Sequence, residues 1–84
     1  MKKPLDSDID AFMTRGTHVL KMISREVYGA KDEELIDTFE SMADTFHKRE
    51  ALAMHANSKR KADLIMKNAL DDIEGFAASI GIDV

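Results

Sequence analysis

Chemistry in an 84-residue chain without cysteine must come from its histidines, carboxylates and hydroxyls. His47 has the best-placed neighbours, with Asp44 three residues before it and Glu50 three after, so that all three lie near one helix face. An acid three residues before a histidine is half of a carboxylate-bridged di-metal site. The other half requires a second such pair and two further acids from facing helices. His18 and His55 have no acid three residues before them, and the acidic run 71–74 contains no histidine. The triplet therefore reads first as a solvated, charged helix face. No metal ligand and no cofactor are assigned, and a di-metal carboxylate/His protein stands only as the third functional alternative. Nucleophilic catalysis has less support still. No serine sits in a strand–turn–helix elbow, and the single, scattered glycines build no phosphate loop. The expectation is a protein that is not an enzyme and has no catalytic residue.

The strongest chemical signal is a cluster of cations. Residues 47–67 hold Lys48, Arg49, Lys59, Arg60, Lys61 and Lys67 against two acids, Glu50 and Asp63, while the rest of the chain carries six basic and fourteen acidic residues. Such an asymmetry suits a partner's carboxylates or a phosphate, aided by the positive end of a helix starting near residue 59. The plainer account is an exposed helix whose i,i+4 pairs Lys59–Asp63, Asp63–Lys67 and Lys67–Asp71 neutralise one another, with Glu50 or the acids of the first helix closing the remainder. Base stacking has little support, because Phe46 at the edge is the nearest aromatic to the basic segment.

These residues are positioned by helices alone. Ser7 is the expected N-cap of a helix over 8–28, with Asp10 completing the cap and Gly29 as its stop. Its stripe is Ile9, Phe12, Met13, Gly16, Leu20, Ile23 and Val27. Gly16, on that buried stripe, marks close approach of a neighbouring helix. A second helix spans 32–56, starting at Asp32 with Glu33 and Glu34 in its first turn, on the stripe Leu35, Ile36, Phe39, Met42, Ala43 and Phe46. Arg49 and Glu50 interrupt that stripe. A third helix spans 59–80, on Ala62, Ile65, Met66, Ala69, Ile73, Phe76, Ala77 and Ile80, and closes with Gly81 and Ile82 in a Schellman-type cap. Phe39, Phe46 and Phe76 are expected to share one core with Ile23 and Ile73.

The predicted fold is all-α, a compact three-helix bundle forming one domain over 1–84, with residues 1–6 as a short disordered or capping arm. The alternative is a helical hairpin in which Asn57-Ser58 lies inside one long helix, a form that must dimerise to bury its apolar face.

A domain this small has a thin margin of stability and, lacking cysteine, no disulfide to widen it. Met22, Met54 and Leu64, read as outward-facing, are the expected contacts of a homo-oligomer, with a dimer favoured. A net charge of −4 argues against coating DNA or membranes, and no apolar run spans a bilayer, so a cytoplasmic location is expected. The leading functional expectation is a small acidic helical protein for protein–protein interaction, an oligomeric adaptor or inhibitor. The alternative is a nucleotide- or nucleic-acid-binding protein using the basic corner at 48–67. The two differ in salt dependence, which is steep for phosphate contacts.

Overall fold

Two short polar turns divide the chain into three helices in a computed structural model that describes residues 6–83. α1 is Asp6–Ala30, α2 is Glu33–Met54 and α3 is Lys59–Ser79, running up, down and up, with no strand among the described residues. All three pairs of helices pack against one another, so the chain is the three-helix bundle and not the hairpin with one long helix. The turn His55–Ser58 ends the latter possibility. Ser58 is extended, at φ −152° and ψ 152°, and its side chain accepts the Lys61 N–H at 3.2 Å, as an N-cap does. The arm expected over residues 1–6 lies outside the described residues, save that Asp6 already belongs to α1.

The caps explain where the helices begin and end. Asp32 caps α2 by accepting the N–H groups of Glu34 at 3.1 Å and Leu35 at 3.3 Å. Glu33 and Glu34 follow in the first turn, where the helix dipole favours acids. At the end of α3, Ile82 N–H donates to the Ala77 carbonyl at 2.9 Å and Gly81 N–H to Ala78 at 3.1 Å, with Gly81 at φ +86°. This is the expected Schellman arrangement, and Ile82 folds back against the core.

Two expected boundaries of α1 are corrected. Ser7 is not a cap, because the backbone is already helical at Asp6 and places Ser7 in the first turn. Gly29 is not the stop either. The helix runs through it to Ala30, and the left-handed residue is Lys31, at φ +56°, whose N–H donates to Tyr28 at 3.3 Å. The reversal must deliver the chain into the Asp32 cap, so the residue just before that cap takes the turn whatever its type.

The core is aromatic and aliphatic on α1 and α2 and largely alanine on α3. Phe12, Val19, Leu20, Ile23 and Val27 from α1 meet Phe39, Phe46 and Ala53 from α2, and Ala62, Met66, Ala69, Ile73 and Ala77 from α3. The expected interpenetration at Gly16 is present. A Cβ there would lie 2.0 Å from Cζ of Phe46, whose ring also stacks at 4.8 Å on Phe12. Phe76 departs from expectation. It is half-buried and packs on the flank of the core, because Ile73 and Ala77 take the centre of the α3 face. Met22 is likewise half-buried instead of outward, since the unexpected burial of Val19 widens the inward arc of α1 toward it.

Candidate functional site

The six cations expected to form the binding cluster differ in their partners within the fold. Lys48 pairs with Asp44 at 3.0 Å within α2. Arg49 reaches across to Asp72 on α3, and this accounts for the charged interruption of the α2 stripe. Half-buried, Arg49 covers the groove of Met42, Phe46, Ala69 and Ile73 while its guanidinium meets a carboxylate at the rim. Lys59 bonds Asp63 at 2.7 Å and lies 3.8 Å from Asp8 of α1. The hydrogen bond that Lys59 donates to Asp63 raises the Lys59 pKa above its ordinary value, with the charges of Asp63 and Asp8 adding to it. Lys67 approaches Asp71 at 3.9 Å. Two of the three sequence-readable i,i+4 pairs thus form, and Asp63 gives itself to Lys59 instead of Lys67.

Arg60 and Lys61 differ from the other four. Both are exposed, and neither makes an ion pair among the described residues. They occupy the first turn of α3, which holds no acid, at the end of the helix that already carries partial positive charge. Glu50 does not cross the turn to meet them. Its carboxylate lies 3.7 Å from Nδ1 of His47 on its own helix.

Lys61 also lines a shallow cleft of about 240 Å³ with Leu52, His55, Ala56, Asn57 and Ile65. Leu52 is 60% exposed, so the cleft joins the cation of Lys61 to an apolar side chain facing solvent, and Met54, near the end of α2, is 51% exposed. Leu52 was not anticipated, although its position was readable: Phe39, Phe46 and Ala53 recur every seventh residue, and Leu52 falls one step off that line. Leu64, 58% exposed, stands one turn beyond Lys61 on the outside of α3. Met22 belongs to a different part of the molecule and does not join this corner.

The histidine–acid triplet gathers no further ligand. Asp44 is engaged by Lys48, and no group of three or more His, Asp or Glu side chains able to hold a metal occurs among the described residues. His47 instead stands on the rim of an open groove between α1 and α2, about 400 Å³, whose floor is Leu20, Phe39 and Ala43. No described helix is long and apolar enough to cross a membrane. Compared with protein families, with curated proteins and with solved structures, the chain matches none.

Proposed function

We propose that this chain is a non-enzymatic interaction protein, an adaptor or inhibitor that self-associates and acts by occupying the surface of a partner protein in the cytoplasm. The observation that carries the reading is the pair Arg60 and Lys61, left without carboxylates among the described residues when every other cation of the segment has one. Two cations at the positive end of a helix repel the dipole and each other, a local rule broken where the rest of the fold obeys it. An acidic segment of a partner removes that repulsion, and each charge-assisted hydrogen bond contributes about 1.5–3 kcal/mol. Leu52, which lines the same cleft as Lys61, supplies apolar area that the same partner covers, and the exposed Met54 near the end of α2 adds a further apolar side chain. Methionine suits such a surface because it adapts its shape.

The double variant Arg60→Glu/Lys61→Glu tests the site. Its melting temperature holds or rises slightly, since acids suit a helix start, while capture of the partner by the immobilised protein is lost. A fall in stability with capture unchanged overturns the proposal and makes the pair part of the fold's own electrostatics. The same two cations also fit phosphates, which keeps nucleotide or nucleic-acid binding as the second reading. Titration with oligonucleotides separates the two: two phosphate contacts give a log–log salt slope of about −2.

A further inference from the structure

The outer face of α3 has a composition the bundle does not need. Arg60, Lys61, Leu64, Lys67, Asn68, Asp71, Gly75 and Ala78 are all exposed and run about 27 Å along the side opposite the buried Ala62, Met66, Ala69, Ile73 and Ala77. Gly75 lies inside the helix, where glycine is the poorest residue after proline. A Cβ built on it meets nothing within 4 Å, whereas at Gly16 it strikes Phe46. Gly75 and Ala78 therefore leave a flat stretch of helix surface, one to two turns wide, that nothing in the chain fills. Eleven residues before Gly75, close to three full turns, Leu64 projects from the same face into solvent.

Charge along this face is polarised. Its first half carries Arg60, Lys61 and Lys67, and its second half carries Asp71 with Asp72 at the margin. Two parallel copies would set cations against cations, whereas an antiparallel pair can set Lys67 of each copy against Asp71 and Asp72 of the other. We infer that the partner of this face is a second copy of the chain, with the two α3 helices antiparallel and Leu64 of each seated over the partner's Gly75. In that register Lys67 comes opposite the acidic pair of the other copy, the Lys67–Asp71 contact becomes one side of a four-charge square, and Arg60 and Lys61, opposite Ser79 and Ala78, meet no carboxylate and stay available to the acidic partner. A single helix face buries less than the roughly 1,200 Å² of a standard interface, so the affinity is weak, with Kd in the tens of micromolar at about neutral pH.

This inference rests on the self-association in the proposed function, and the experiment separates the two. Sedimentation at high micromolar concentration gives a dimer for the natural chain, and a 9.4 kDa particle there overturns both. Leu64→Glu weakens the dimer by about thirtyfold or more. Gly75→Ala raises the melting temperature of the protomer yet weakens the dimer about tenfold, because the new methyl meets Leu64. A dimer indifferent to both substitutions overturns the α3 face alone. Because the chain has no cysteine, the register is readable directly: Leu64→Cys/Gly75→Cys oxidises to a disulfide-linked dimer, since the two Cα atoms come within the roughly 4.4–6.8 Å a disulfide spans. Efficient linkage by Leu64→Cys alone overturns the antiparallel alignment.

Discussion

Gly16 and Gly75 both sit inside helices, and the faces around them have opposite requirements. At Gly16 the missing side chain is occupied by Phe46, which lets α2 come close to α1 and brings the ring onto Phe12. At Gly75 the missing side chain is occupied by nothing in the protomer. The same residue type thus serves the packing of the fold on one face and lowers helix stability without internal return on the other. For these two helical glycines burial decides whether a side chain is tolerated.

That contrast can be broken most forcefully at the ring. Phe46→Ala removes the knob and leaves a cavity, with an expected loss of about 3–5 kcal/mol, a large share of the stability of a domain this size, measured by urea denaturation. Gly16→Ala inserts a methyl into the same space and loses about 1–3 kcal/mol. If the two positions share one volume, the double variant loses less than the sum, and an additive pair would place them apart. Phe76→Ala, on the flank, is expected to lose only about 1–2 kcal/mol, because a half-buried ring gives up part of its area. Gly75→Ala goes the other way and stabilises the protomer by about 0.5–1 kcal/mol in thermal melts of dilute protein. The smallest effect belongs to the exposed rim. Tyr28 donates to Glu40 at 3.1 Å, and that bond raises its pKa above the ordinary phenol value. Its contribution to stability is therefore complete below about pH 10, the unfolded value, and fades as pH climbs through the folded one. Phenolate absorbance of this single tyrosine reports the shift, and Glu40→Gln reduces it.

Much of this arrangement was legible because it depends on neighbours in sequence. The α3 stripe, the Asp32 cap, the Gly81–Ile82 closure and the role of Gly16 follow from spacing and residue type. What escaped depends on how the helices come to lie together. Val19 is buried because α1 faces two helices at once, and this also draws Met22 inward. Arg49–Asp72, Lys59–Asp8 and Arg15–Glu74 join residues on different helices, and their pairing is fixed only by axial register. For that reason the cation cluster was visible as six residues, while its division into four satisfied members and two free ones was not. Lys31 in a left-handed conformation was hidden for another cause: the cap that follows it, and not the residue itself, selects the position of the turn.

The turn His55–Ser58 is the covalent link through which α3 would pass if two molecules exchanged this helix. The segment is short and is held by the Ser58 cap, by the N–H groups of His55 and Ala56 donating to the Ala51 and Ala53 carbonyls, and by burial of the Ala56 side chain. If the turn straightens, α3 leaves its own α1 and α2 and docks on those of a neighbour, reproducing the alanine-lined contact of Ala62, Ala69 and Ala77 without a new interface being invented. Such a swapped pair would keep the core contacts between helices and lose those of Ala56 in the turn, so it would separate as slowly as the protomer unfolds and not at the rate of a surface complex. Four residues of chain thus set the boundary between a reversible association and a kinetically trapped one.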